Sequence, residues 1–239
     1  MRIGGFEFRP GFWPTLVTLA IMPVLVGLGI WQLERAAWKQ GLVDTSLETT
    51  KLSPQPLLDV IEAGGVLDFR PVVARGRYLL DRQLLQDNRI HHGRPGYHAL
   101  TPLLLEDHDE VVLVNRGWLA MGQTRSVLPP LPGPEGDISV TGIIARLPEK
   151  VFRLDAVEEH VAGWPQVIQH VDFEDIERRL QHAVIPVVVL LDAADPHGFA
   201  RDWRPIYGIT PDKHRAYAMQ WFTLALVLLV IYIGVNTRR

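Results

Sequence analysis

The chain of 239 residues carries two charge-free apolar runs, one near each end, and everything else must be arranged around them. They are Phe12 to Trp31 and Ala216 to Val235, each about twenty residues, enough to cross a hydrocarbon core roughly 30 Å thick. The first is too long for a signal-peptide core and no A-x-A-like cleavage site follows, so it reads as a retained anchor. Pro14 sits in its first turn, and Pro23 is expected to kink it. Two spans put both termini on one side. Arg2, Arg9, Arg238 and Arg239 lie outside the runs and place both ends in the cytoplasm by the positive-inside rule. Arg35, Lys39, Lys213 and Arg215 on the far side weaken that assignment without reversing it. The short lead before Phe12 leaves no room for a transit peptide, which favours a bacterial cytoplasmic membrane.

The expected organisation is an N-terminal span with its extension (1–47), an extracytoplasmic domain (48–209) and a C-terminal span (210–239). Of 24 Lys and Arg and 27 Asp and Glu, the ends take four basic residues and one acidic, so the middle is mildly acidic and argues against nucleic acid. The absence of cysteine excludes disulfides, thiolate metal sites, iron–sulfur clusters and thioredoxin-like chemistry. Within the middle, Leu57 to Ala63 predicts a short helix closed by Gly64-Gly65. Strands are predicted at Arg70–Leu80, Gln83–Gln86, Tyr97–Leu105, Glu110–Leu119, Ile138–Leu147, Val167–Val171 and Val184–Leu191. Asp87–Gly96 and Gly122–Asp137 read as loops from their Gly, Pro and Asn content. Asp172 is placed to cap a helix over Phe173–Leu180, and Pro186 points to an edge or to a strand start in the last strand. The fold class is therefore an α+β membrane protein, two transmembrane helices flanking a mostly antiparallel β-domain closed as a small barrel or sandwich.

The C-terminal span begins as a helix start should. Thr210 suits the N-cap, Pro211 the first helical position, and Asp212 adds negative charge to the first turn. One turn on is His214, followed at i+3, i+4 and i+7 by Tyr217, Ala218 and Trp221 on the same face. Neutral imidazole suits a helix N-terminus and leaves a ring nitrogen to ligate iron. The plainer alternative is an interfacial histidine bonded locally, with Tyr217 and Trp221 in an aromatic belt. On leaving the first span, Trp31, Arg35 and Trp38 fall at i, i+4 and i+7, a belt or a docking face, and Gly27 and Gly29 permit close helix approach. His91, His92 and His98 lack metal-ligand spacing. Asn115-Arg116-Gly117-Trp118 reads first as a strand end with a half-buried Trp. Its functional alternative pairs Arg116 with a carboxylate and stacks Trp118 on a flat ligand.

Four motifs together, Gly29-x-Trp31-Gln32-x-x-Arg35, Gly96-Tyr97-x-x-x-Thr101-Pro102, Val114-Asn115-Arg116-Gly117-Trp118 and His214-x-x-Tyr217-Ala218-x-x-Trp221, make the chain resemble the Surfeit locus protein 1 family over nearly its whole length. The resemblance implies an assembly factor for cytochrome c oxidase without turnover of its own, acting as haem a enters the catalytic subunit. It makes that subunit, the lipid bilayer and a haem a synthase the partners. It also implies His214 as the iron ligand, Trp31, Gln32 and Arg35 facing it from the first helix, and Tyr217 and Trp221 packing the macrocycle. Two rivals stand beside it: a scaffold that steadies the oxidase subunit and never touches haem, and an anchored enzyme whose acid–base cluster the sequence does not reveal.

Overall fold

The computed structural model of the chain describes residues 2–3, 6–122, 127–145, 163–203 and 209–238. In order, the elements are β1 (Arg2–Ile3), β2 (Phe6–Phe8), α1 (Phe12–Thr49), β3 (Gln55–Pro56), α2 (Leu57–Ala63), β4 (Pro71–Tyr78), β5 (Leu84–His91), β6 (Arg94–Leu105), β7 (Glu110–Ala120), β8 (Asp137–Ala145), β9 (Gln166–Ile168), α3 (Phe173–Leu180), β10 (Ala183–Leu191), α4 (Pro211–Asn236) and β11 (Thr237–Arg238). Two compact units result: Met1–Thr45 with Arg204–Arg239, and Ser46–Trp203.

The first unit is an antiparallel helix pair. Both α1 and α4 are long and apolar enough to cross a membrane. α1 has 38 residues and runs unbroken through Pro23, roughly 57 Å at 1.5 Å per residue, so it continues well past one bilayer thickness. Along α1 the less exposed positions include the series Thr15, Thr18, Met22, Leu25, Gly29, Gln32 and Ala36; along α4 they include His214, Ala218, Trp221, Ala225, Leu228 and Tyr232. Both series alternate steps of three and four, the 3.5-residue period of a left-handed pair. Gly29 is buried where a Cβ would fall 2.6 Å from the Phe222 ring, so this glycine is the notch in the seam; Gly27 has open space around it. At one end the pair is fastened. Thr15 shares a 3.0 Å hydrogen bond with Tyr232, the Gly11 N–H donates to Asn236 Oδ1 at 2.6 Å, and β11 pairs with β2. The two ends of the chain thus meet at one end of the helices.

The second unit is a closed barrel. β4 pairs with β8, β8 with β10, β10 with β7, β7 with β6, and β6 returns to β4. Only the β10–β7 pairing in this ring is parallel. Closure depends on Gly76, paired on both sides, where a Cβ would collide with the Leu104 carbonyl. Alternation sends Val72, Ala74 and Tyr78 of β4, Val112 and Val114 of β7 and Val187, Val189 and Leu191 of β10 to the interior, with Leu57 and Val60 of α2 in the same core. The opposite faces of β7 and β10 are covered by Ile176 and Leu180 of α3. Each such buried Leu, Ile or Val contributes roughly 1.5–3 kcal/mol. α3 starts as expected, the Asp175 N–H donating to Asp172 Oδ1 at 3.2 Å.

Two expectations are overturned. Asp87–Gly96 is a β-hairpin rather than a loop. Its turn takes only His92 and Gly93, both at positive φ, and Asn88 at φ 59° sits at the register shift between Gln86 and Arg89. β10 is a central strand, not an edge. A register shift between Val184 and Val188 takes Pro186 out of the ladder, so its missing N–H costs no pairing. The expected strand Ile138–Leu147 is present as β8; Leu147 itself lies outside the described residues.

Candidate functional site

His214 lies on the α4 seam one turn into the helix, held there by local chemistry. Pro211 begins the helix, and the Thr210 hydroxyl accepts the Lys213 N–H at 3.4 Å. The imidazole is only 8 % exposed, and its Nδ1 lies 2.7 Å from Oε1 of Gln32, which the α1 period brings to the same level. An amide oxygen only accepts, so the proton is on Nδ1 and the lone pair on Nε2. Among the described residues Nε2 has no hydrogen-bond partner.

The helical period assigns the remaining residues to sides of the pair. On one side, Arg215, Met219, Phe222 and Leu226 of α4 meet Leu33 of α1 around a shallow groove of about 380 Å³, and Arg215 donates to Gln40 at 3.3 Å. Tyr217 flanks the α4 seam in the opposite sense, beside the seam residue Trp221, and Trp31 and Arg35 flank the α1 seam opposite Leu33 and Gln40. In an antiparallel pair, flanks of the same sense share a side, so Trp31, Arg35 and Tyr217 lie on one side with Trp221 and the His214–Gln32 contact at its edge. Trp31 and Tyr217 are nearly half exposed and Trp221 is partly buried. Arg35 sits 5.9 Å from the Trp31 ring centre and 5.2 Å from that of Trp38, with Lys39 5.4 Å from the latter. Of the six residues singled out in the sequence, Gln32 and His214 are therefore in direct contact. The other four share a side, and among the described residues none of them hydrogen-bonds the imidazole.

In the barrel, the Asn-Arg-Gly-Trp motif lies inside β7 rather than at its end. Arg116 continues the inward series Val112, Val114 and is 1 % exposed. Its guanidinium donates to the carbonyls of His197 (3.0 and 2.5 Å) and Pro132 (2.6 Å) and to Gln83 Oε1 (3.4 Å). Tyr78 and Phe199 cover it at 5.3 and 4.9 Å. The carboxylate pairing of the functional alternative is not seen among the described residues; the backbone carbonyls of His197 and Pro132 take its place. Burial lowers the guanidinium pKa and raises that of the Tyr78 phenol well above its usual range. Gly117, at φ 117°, lets the Trp118 N–H reach the Ala200 carbonyl at 2.7 Å. Trp118 donates its indole N–H to the Arg89 carbonyl at 2.8 Å and packs against His91 rather than standing free for a ligand. Asn115 Nδ2 is 3.3 Å from His98 Nδ1. Burial, then the nearby Arg89 and His91, push the His98 pKa down to about 4. Among the described residues no three of His, Cys, Asp and Glu gather as a metal site. Sequence reasoning missed this burial; the alternation Val112, Val114, Arg116 along one strand face is the signal that could have found it.

A sequence model of the SURF1 family matches residues 19–226. The chain belongs to the SURF1 family. It is similar to a SURF1-like protein of Drosophila melanogaster, 28 % identical over 87 % of this chain and 72 % of the relative. It is similar to the cytochrome oxidase assembly protein SHY1 of Saccharomyces cerevisiae, 30 % identical over 41 % of this chain and 26 % of that protein. A SURF1-like protein of Rickettsia felis is 23 % identical over 91 % of this chain and 94 % of its own length. The SURF1 match covers the barrel and most of both helices, so it takes in Gln32, His214 and the buried Arg116 alike.

Proposed function

We propose that this protein is a membrane-anchored assembly factor for haem-copper cytochrome c oxidase that takes haem a as cargo through His214 and passes it to the catalytic subunit. Its family and the name of the yeast relative support the oxidase role. The haem reading is carried by one observation: a seam histidine whose Nδ1 is engaged by Gln32 and whose Nε2 has no partner among the described residues. The surroundings fit the cargo. Haem needs an axial ligand, an apolar face and cations for its propionates, and the side bearing Trp31, Tyr217, Trp221 and Arg35 has these types of group. No other histidine is on offer at the seam, as suits a carrier that must release its load. The protein performs no turnover of its own. Both termini are cytoplasmic and the barrel is extracytoplasmic, in a bacterial cytoplasmic membrane, with a haem a synthase as a neighbour.

The Soret-region spectrum of protein purified from membranes that make haem a, beside His214→Ala, tests this. A haem a spectrum in the parent that is lost or shifted in the variant is expected. A colourless parent that still brings down the oxidase subunit overturns the haem role and leaves a scaffold. The exposed Trp31 and Trp38, held over Arg35, would then be the docking face.

A further inference from the structure

We infer that Gln32 is a positioning residue for His214, and that its neutral amide keeps the imidazole a releasable ligand; this rests on the haem reading above. A histidine ring has two nitrogens, and its tautomer is set by what the non-ligating one bonds. Here that bond is made across the seam, Nδ1–H to Gln32 Oε1 at 2.7 Å. Gln32 stands one turn beyond Gly29, whose missing Cβ allows the close approach of Phe222. The same period that packs the helices thus carries the acceptor to the ring. Without it, both tautomers and both ring flips become accessible, and only one presents Nε2.

The identity of the acceptor matters as much as its place. A carboxylate in this position draws the Nδ1 proton toward itself and enriches the ring, which strengthens the bond from the other nitrogen to a metal. An amide oxygen carries no charge and enriches the ring far less. A resident cofactor is served by the first arrangement and a cargo by the second. Gln32 does not touch the cargo in this reading; it acts through His214.

The test uses the full-length protein in phosphatidylcholine nanodiscs. Ferric haem a is titrated into the parent, Gln32→Leu and Gln32→Glu, release is followed by transfer to apomyoglobin, and the ring nitrogens are read by 15N NMR in the haem-free protein, with His214→Ala to assign them. In Gln32→Leu, haem binding weakens roughly tenfold and the single Nδ1–H tautomer becomes a mixture. Gln32→Glu keeps that tautomer, binds at least as tightly as the parent and releases roughly tenfold more slowly. Since glutamate keeps the seam acceptor, it remains informative even where leucine disturbs the pair. Parent-like binding, release and tautomer in both variants overturn the positioning role while leaving the haem reading intact. A parent that binds no haem a overturns both.

Discussion

The barrel and the helix pair each contain a motif that stands out in the sequence, yet they treat their polar atoms differently. In the barrel motif the side-chain groups are occupied: Arg116 by carbonyls and Gln83, Trp118 by the Arg89 carbonyl, Asn115 by His98 and the Gly117 N–H. In the helix pair His214 has one ring nitrogen engaged and the other without a partner among the described residues. Satisfied groups hold a fold together, whereas a half-satisfied one keeps a bonding position open. Two motifs equally visible in sequence thus differ in how completely their polar atoms are used.

The sharpest way to break this contrast is to remove both imposing side chains in turn. Arg116→Ala strips three acceptors outside the strands, the His197 and Pro132 carbonyls and Gln83 Oε1, of their donor and is expected to cost about 3–5 kcal/mol in urea or thermal unfolding. A loss below about 1 kcal/mol would make the arginine functional after all. A smaller effect comes from His98. Its pKa is depressed from 6.5 to about 4, so the unfolded chain binds the proton first as pH falls. The stabilisation it provides is whole above pH 6.5 and drains away between 6.5 and 4, on the order of 2 kcal/mol after screening at its partly exposed edge. Unfolding measured across that window in the parent and in His98→Asn should show the slope in the first and a flatter profile in the second. The smallest effect is expected for the site itself: His214→Ala removes a single interhelical hydrogen bond and should change stability by about 0.6 kcal/mol. A loss as large as that of Arg116→Ala would return His214 to architecture.

What could be read from the sequence followed the range of the interactions that decide it. Helix starts are local, so Thr210-Pro211-Asp212 and Asp172 announced α4 and α3, and the α2 range was read residue for residue. The barrel itself was offered beside a sandwich, because its closure rests on β6 meeting β4 at Gly76, a contact between segments far apart in the chain. The edge alternative for Pro186 failed because the proline sits at a register shift of a central strand, and Asp87–Gly96 misled because a turn-rich composition spread over ten residues is used by a two-residue turn. Along α4 the spacing grouped His214, Tyr217 and Trp221, but did not reveal that His214 is buried in the seam while Tyr217 stands on its exposed flank. That Gln32 is the residue at the ring was not legible either, since it depends on the register of α1 against α4.

About 160 residues separate the end of α1 from the start of α4, so during synthesis the first helix exists long before its mate. At roughly 5–20 residues per second the ribosome needs on the order of ten to thirty seconds to bridge that interval. For that time the Gln32 amide and the Gly29 notch lack their partners His214 and Phe222. The order of translation makes α4, the helix carrying His214, the element that completes the seam.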